Sequence, residues 1–348
     1  MTVQAEQKLL YPVSLLLSTG SKKTAEKLAE TCQVSGDTIL RALENKSVSP
    51  EELIKMVICI FGTDYLNIII DDTIIEKMYS QIIEGTSDNY DSSKKQTYRS
   101  LCSVVAMLSN GQYALPVVND FWIREEVIGD KYKTKVEIAI EFIKFLRTFI
   151  RINTVILDGL YATIAMLTWL QENNISYEMR FHSNRLIQTK NDKKPIKVRD
   201  HPALKLANKR TKKTIKCQWN NLSIYVTAVK RTDKKGNISI VYQVSNTKRS
   251  AREHVQFYDY RWDIEIFFRT AKQSLGLTDC QSRKMLRQKN HIYNVFLAYI
   301  ILQFEKRNKR LKNSEAALQK LKRKSPQSLT SYLSSLDQIF RNLETTYA

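Results

Sequence analysis

The chain has 348 residues, of which 43% are hydrophobic, so it can bury a sizeable core in one large domain with a smaller companion. It contains 55 Lys and Arg against 35 Asp and Glu, a formal net charge of +20. Such a charge attracts polyanions, most often nucleic acid, although ribosome binding, membrane-surface binding and simple solubility remain blander explanations.

The cysteines and the apolar stretches exclude several classes of protein. The five cysteines are scattered, without a CxxC pair or a histidine at zinc spacing, which argues against a disulfide framework and a zinc site. The N-terminus lacks the pattern of a signal peptide. The most apolar stretch, residues 295–304, is about half the length that spans a bilayer. We therefore expect a soluble cytoplasmic protein without a membrane partner.

Residues 24–44 predict two short helices around a tight turn, with Ser35 or Asp37 as the cap of the second helix. The pattern fits a helix-turn-helix, whose second helix would enter a DNA major groove. Many small helical hairpins share this spacing, so a purely structural hairpin remains the alternative. The apolar positions of the pair are Ala25, Leu28, Ala29, Ile39, Leu40 and Leu43.

The next part of the chain predicts an α/β fold. Residues 65–70 form an apolar run that ends at Asp71-Asp72-Thr73, as a buried strand does, and Asn110-Gly111 is a strong hairpin turn signal. Hairpin strands followed by alternating helices and strands indicate a mixed sheet with helices on its faces. The further predicted elements are strands 101–108, 113–118, 154–157 and 177–181 and helices 134–150 and 161–172.

Residues 185–252 are strongly basic and rich in predicted strands. They contain 19 Lys and Arg against three acids, and so carry +16 of the net +20. A charge run is usually a solvated face, but this concentration favours a surface that follows DNA phosphates, with Arg210, Lys212 and Lys213 as contacts. Helices are predicted at about 254–275 and 292–304, and basic helical segments continue to the end.

Three acids stand out by position. Asp71 and Asp158 each follow a predicted buried strand, and Glu265 lies in a mostly apolar predicted helix. Mg²⁺ prefers such oxygen ligands, and two ions about 4 Å apart can promote phosphodiester displacement. Taken singly, each acid could equally be a turn cap or a surface residue.

The sequence around Glu265 supports this hypothesis. Tyr258, Arg261, Glu265 and Lys272 have spacings of three, four and seven residues, which predicts one helical face. Arg offers a two-pronged contact to phosphate and Lys a point charge. The alternative is a surface ladder with an Arg261–Glu265 ion pair.

These residues resemble the DDE transposases of bacterial insertion sequences, in the insertion-sequence-four group. That group carries Tyr-x2-Arg-x3-Glu-x6-Lys, and all four places match. Its first acid lies in a hydrophobic-Asp-x-Ser/Thr pattern, which Ile70-Asp71-Asp72-Thr73 matches at Asp71, with Asp72 as the competing choice. Asp158 takes the place of the second acid. The resemblance covers roughly residues 64–305; Gly159 and the short N-terminal region depart from the pattern and leave hairpin formation and end recognition open.

The resemblance implies an RNase H-like mixed sheet flanked by helices, with a β-rich insertion and an N-terminal helical region. The implied division of the chain is a helical region at 1–60, the first part of the core at 61–184, the insertion at 185–252, the core helices at 253–305 and a C-terminal helical region at 306–348.

The resemblance also implies a reaction. The protein would cut transposon ends and join them to target DNA with two Mg²⁺ ions, or Mn²⁺ in their place. Asp71 and Asp158 would hold one ion, and Asp71 and Glu265 the other. Arg261 and Lys272 would hold end phosphates, while Tyr258 would contact the DNA backbone.

Two tryptophans have competing roles. Relatives of this group stack an insertion tryptophan on a flipped base, and Trp219 is the tryptophan of the insertion. Strand core is the favoured interpretation of Trp219, with base stacking as the alternative. Trp262 is expected to pack its helix on the sheet. The expected partners are terminal inverted-repeat DNA, target DNA and a second copy of the chain, in a nucleoid-associated complex. The competing hypotheses are a related nuclease without strand transfer and a non-catalytic or domesticated DNA-binding protein.

Overall fold

The computed structural model describes residues 3–19, 22–45, 48–78, 80, 82–91, 94–207, 210–233 and 235–323. The last part of the predicted C-terminal region, 324–348, lies outside them.

The helices are α1 (Val3–Leu17), α2 (Ala25–Cys32), α3 (Gly36–Asn45), α4 (Pro50–Phe61), α5 (Glu125–Ile128), α6 (Lys135–Leu146), α7 (Ile164–Glu172), α8 (Ala251–Asp259), α9 (Trp262–Ser274), α10 (Met285–Asn308) and α11 (Ser314–Lys322). The strands are β1 (Tyr65–Glu76), β2 (Ser87–Asp91), β3 (Gln96–Ser109), β4 (Ala114–Trp122), β5 (Arg151–Leu157), β6 (Tyr177–Phe181), β7 (Leu186–Ile187), β8 (Ile196–Lys197), β9 (Lys212–Trp219), β10 (Leu222–Thr232) and β11 (Ile238–Ser245).

Within the described residues, nine strands form one mixed sheet. Its order is β2-β3-β1-β5-β6-β11-β10-β9, and β4 also pairs with β3. β5 runs parallel to both β1 and β6, whereas the other pairs are antiparallel. The predicted RNase H-like mixed sheet with flanking helices is confirmed.

Strand β1 is longer than the sequence predicted. Its pairing with β3 continues to Glu76, which lies opposite Ser100, because Thr73 and Ile75 keep the alternation of buried side chains beyond the apolar run. Asp71 and Asp72 therefore lie inside the strand, and the prediction that they follow its end is wrong. Adjacent residues of a strand point to opposite faces of the sheet.

The basic insertion extends the central sheet. Strand β11 pairs with β6, and β10 and β9 follow, so the insertion continues the core. Its inner side chains, such as Ile224, Val226 and Val244, are fully buried. Helix α8 contacts β6, β11, β10 and β9 and so covers one face of this extension.

A helical layer lies against the sheet on the side of α9. The long helix α10 contacts α9 and β4, and the N-terminal helices α1 and α3 also pack on it. The layer is tied together by Tyr11, whose hydroxyl contacts Nδ1 of His291 at 3.0 Å. No helix in the described parts of the chain is long and apolar enough to cross a membrane.

Candidate active site

Asp71 and Asp158 lie side by side on neighbouring parallel strands. The register pairs Ile70 of β1 with Leu157 of β5, so the next residue on each chain is one of the two acids. Because paired positions point to the same face, both carboxylates belong to the face covered by α8 and α9. The hydroxyl of Tyr258 donates to Asp158 Oδ1 at 3.3 Å, which anchors α8 on that acid.

The four-residue motif is divided between two helices. The sequence predicted one helix over 254–275, but α8 ends at Asp259 and α9 begins at Trp262. The connection is a tight turn in which Arg261 N donates to Tyr258 O at 3.0 Å. Tyr258 thus reaches the site from α8, and Glu265 and Lys272 from α9, so the prediction of a single helical face is wrong.

Arg261 connects two of the three acids. Its guanidinium donates to Asp71 Oδ2 at 3.1 Å and to Glu265 Oε1 at 2.5 Å. Its side chain is only 14% exposed, so both charge-assisted bonds are formed partly out of water, where they are stronger. Arg261 therefore links Glu265 to Asp71 as the ion-pair partner that both acids share.

The two neighbouring aspartates have different surroundings. Burial, followed by the charge of Asp72, raises the pKa of Asp71 to about 7, and Arg261 opposes the shift. Asp72 instead accepts a hydrogen bond from Lys135 Nζ at 2.7 Å, at the start of α6, and one from Cys102 Sγ at 3.6 Å. Adjacent residues of a strand point to opposite faces, so the two carboxylates leave β1 in different directions, although both border one cavity.

A cavity of about 490 Å³ opens beside these acids. Asp71, Asp158 and Lys272 line it, and Lys135 and Arg124 contribute further positive charge. Strand β2, which the sequence analysis missed, adds Tyr90 and Asp91; its short Ser-Asp-Asn-Tyr-Asp sequence carries no apolar run. The remaining lining residues are Asp72, Thr73, Ile74, Asn89, Cys102, Trp122 and Leu160.

The donor atoms suit a hard divalent cation. Asp71 and Asp158 present carboxylate oxygens to one polar cavity, the ligand type that Mg²⁺ and Mn²⁺ prefer. The buried hydroxyl of Tyr161 has no hydrogen-bond partner among the described residues, and burial and the charges of Asp72 and Asp71 raise its pKa. Within those same residues no group of three His, Cys, Asp or Glu side chains is arranged to hold a metal ion, and Arg261 lies between Asp71 and Glu265.

Comparison with known proteins identifies the family of this site. The sequence model of the family described as Transposase DDE domain matches residues 62–301. This chain belongs to that family. The matched segment includes all three acids and the whole Tyr-Arg-Glu-Lys motif.

One solved structure with a similar fold is a piggyBac transposase, determined by cryo-EM in a synaptic complex with hairpin DNA. The two chains are 12% identical with a TM-score of 0.52, over 97% of this chain and 76% of the other. At that identity the likeness shows the fold. A search of the curated proteins finds no significant match.

The two tryptophans of the DDE chain differ in burial. Trp219 is 4% exposed and packs edge-on against Phe181, with ring centroids 5.1 Å apart, so its faces cannot stack on a base. Trp262 is 53% exposed, with the Arg261 guanidinium 5.8 Å from the centre of its ring. The strand-core interpretation of Trp219 therefore fits its position, whereas the prediction that Trp262 packs on the sheet is wrong.

The cations of the insertion lie on both faces of the sheet. The register pairs Lys216 with Tyr225 and Tyr225 with Ser245, which lies opposite Glu178 beneath α8. Lys212, four residues before Lys216, shares this face, whereas Lys213 points to the other. Arg210 is exposed just before β9. Lys212 and Lys213 therefore leave the strand in opposite directions.

Helices α2 and α3 form the predicted hairpin. Ser35 Oγ accepts from Thr38 N at 3.2 Å and is the cap of α3. Helix α3 carries Asp37 and Glu44 against Arg41, and Glu44 is paired with Arg287 of α10 at 2.8 Å. Helix α3 therefore carries no excess of positive charge for phosphates, and its contact with α10 favours the structural alternative.

Proposed function

We propose that this chain is the DNA transposase of an insertion sequence, which cuts transposon ends and joins them to target DNA. The observation that carries the proposal is the meeting of Asp71 and Asp158 at one cavity, with Arg261 linking Asp71 to Glu265. Membership of the Transposase DDE domain family supports the same reaction class.

The three carboxylates would hold divalent metal, Mg²⁺ with Mn²⁺ as a substitute. Asp71 and Asp158 would form one pair of ligands, and Asp71 and Glu265 the other. Metal ions held there would supply activation of the attacking oxygen and charge stabilisation of the leaving oxygen. Asp72 is the weaker candidate because its partners are Lys135 and Cys102, whereas Asp71 lies beside Asp158 and shares Arg261 with Glu265.

The cations of the site would bind the strand that is cut. Arg261 has a planar fork that can exchange its carboxylate partners for a phosphate, and Lys272 lines the cavity as a point charge. Tyr258, fixed on Asp158, would set the approach of the backbone to the acids. The exposed ring of Trp262, next to Arg261, offers a surface on which an unpaired base can stack.

The basic insertion would guide the duplex to this site. Strand β9 is four strands from β5 in the sheet, about 19 Å at the usual strand spacing, which is close to the width of a DNA duplex. Lys212 lies on the same face as the acids, so a duplex that crosses α8 could reach both. The partners proposed are the terminal inverted repeats, target DNA and a second copy of the chain.

The test uses a plasmid that carries the reading frame with its own flanking sequences. With Mg²⁺ or Mn²⁺ we expect excised fragments and, after addition of a target plasmid, sequenced junctions between transposon ends and target. EDTA should abolish both products. Cleavage without any junctions would favour a nuclease without strand transfer, and binding without cleavage would contradict the proposal.

A further inference from the structure

A fully buried acid lies beneath α8 without a place in the proposed reaction. Glu178 of β6 is 0% exposed, and its Oε1 pairs with Arg249 at 2.9 Å and with His254 Nδ1 at 2.6 Å. A buried carboxylate is strongly unfavourable unless it is paired and hydrogen-bonded. Arg249 lies in the segment that leads into α8, and His254 lies in α8 itself. The free-energy cost of breaking these two pairs therefore opposes any displacement of the helix.

The acid belongs to the catalytic face of the sheet. Glu178 pairs in register with Ile156 of β5, two residues before Asp158, so all three side chains point to the same face. Arg249 extends the connection, since its second nitrogen donates to Thr154 Oγ1 on β5 at 3.0 Å. Glu178, Thr154 and Asp158 thus form one row beneath the helix.

Arg249 and His254 hold the beginning of α8, and the far end carries the reactive contacts. Arg249 also packs over the ring of Phe257 at 4.0 Å, which ties the helix to its own anchor. Tyr258 lies one turn after His254, about 6 Å along the axis. A helix fixed at His254 therefore delivers Tyr258 to Asp158 and Arg261 to Asp71.

We infer that Glu178 is a positioning residue for the DDE site: through Arg249 and His254 it fixes α8, and thereby sets Tyr258 and Arg261 against Asp158 and Asp71. Glu178 itself touches neither DNA nor the reacting atoms. The catalytic consequence rests on the proposed function, whereas the mechanical part concerns the protein alone.

The chain contains a matched control. Asp192 and His201 form another acid–histidine pair at 2.9 Å, with His201 2% exposed. Asp192 also holds Thr189 in the turn between β7 and β8, on the insertion. The hydrogen bonds of this pair go to Thr189 and Ala203 of the insertion, so its loss tests the general cost of breaking a partly buried acid–histidine pair.

The experiment compares Glu178→Gln with Asp192→Asn by two measurements. The first is hydrogen exchange of the backbone amides of residues 251–274 in the free protein. The second is the single-turnover rate at which saturating protein, in Mg²⁺, cleaves a DNA fragment that carries the sequences flanking the reading frame. We expect Glu178→Gln to speed exchange in α8 and to slow cleavage about 10- to 100-fold, as a displacement of about 1 Å does, with DNA affinity little changed. Asp192→Asn should do neither.

Two further variants keep the test decisive. Thr154→Val removes one bond of Arg249 with almost no change of shape, and should give a smaller effect in the same direction if Glu178→Gln does not fold. Combining Glu178→Gln with Tyr258→Phe should cost no more than the larger single loss, because both act through one helix. Unchanged exchange in α8 in both Glu178→Gln and Thr154→Val would overturn the inference. An inactive parent would contradict the proposed function, while the exchange result would still decide whether Glu178 fixes α8.

Discussion

The two faces of strand β1 show how one strand gives adjacent acids different roles. On the α8–α9 face, Asp71 lies beside Asp158 and shares Arg261 with Glu265. On the α6 face, Asp72 is paired with Lys135. The alternation of side chains along a strand therefore separates an acid that lies beside a second strand carboxylate, Asp158, from one whose partners are Lys135 and Cys102.

The largest expected difference between the faces is catalytic. Asp71→Asn should slow single-turnover DNA cleavage about 10³-fold or more, as the loss of a catalytic acid does. Asp72→Asn should slow it far less and instead lower stability by about 1–3 kcal/mol, because Lys135 loses its partner. Rates in Mg²⁺ and urea unfolding curves measure the two effects. Equal loss of cleavage in both variants would end the distinction between the faces.

The second comparison is between the two tryptophans. Trp219→Ala should destabilise the fold by about 3–5 kcal/mol, because it removes a buried ring. Trp262→Ala should change stability by less than about 0.5 kcal/mol, yet weaken binding of DNA with unpaired end bases by about 1–3 kcal/mol. Thermal unfolding and fluorescence titration separate them; DNA affinity unchanged in Trp262→Ala would remove this ring from the interface.

Low pH should lower the stability of the helical layer on the α8–α9 face, because His291 of α10 is buried there. Nε2 of His291 donates to Gly276 O at 2.9 Å, and in the neutral ring Nδ1 accepts from the Tyr11 hydroxyl. Burial, followed by the charge of Lys77, lowers the pKa of His291 to about 4. The unfolded chain takes up this proton near pH 6.5, so stability is full above that pH and is lost as the pH falls towards 4, by about 3 kcal/mol.

Unfolding curves between pH 7 and pH 4 test this dependence. His291→Gln should flatten it, whereas the same change at the exposed His182 should leave the slope as in the parent. A slope unaffected by His291→Gln would assign the acid sensitivity to other groups.

The smallest expected effect distinguishes the faces of the insertion. Lys212→Gln should reduce the slope of log affinity against log salt by about 0.9, the value for one lost phosphate contact. Lys213→Gln should leave it near the parent value, because that side chain points to the opposite face. Filter binding over a range of salt checks the pair, and equal slopes would show that the duplex does not cross the α8 face.

The local order of the fold could be predicted because it depends on local patterns. Hydrophobic runs and the Asn110-Gly111 turn predicted the central strands, and the spacing around Glu265 predicted the motif. The sequence did not show which distant strands pair, because β1 and β5 are apolar on both faces and lack an alternation of polar and apolar residues. The faces of Lys212 and Lys213 and the exposure of Trp262 depend on that pairing.

The break between α8 and α9 was missed for a related reason. Residues 254–275 contain neither proline nor glycine, so nothing local ends the helix at Asp259. Contacts with distant residues accompany the turn: Tyr258 bonds to Asp158, and the Tyr260 hydroxyl lies 3.2 Å from where a side chain on Gly111 would begin. Glu178 was missed because an isolated acid in a short strand carries no sequence signal.

The central claim is that the acids of the α8–α9 face act together. Its most direct test is single-turnover cleavage of the flank-bearing DNA in Mg²⁺ by the parent, Asp158→Asn and Glu265→Gln, with DNA affinity measured in parallel. We predict that both variants bind DNA as tightly as the parent and cut it about 10³-fold more slowly or worse. Cleavage by Glu265→Gln at the parent rate would contradict the account.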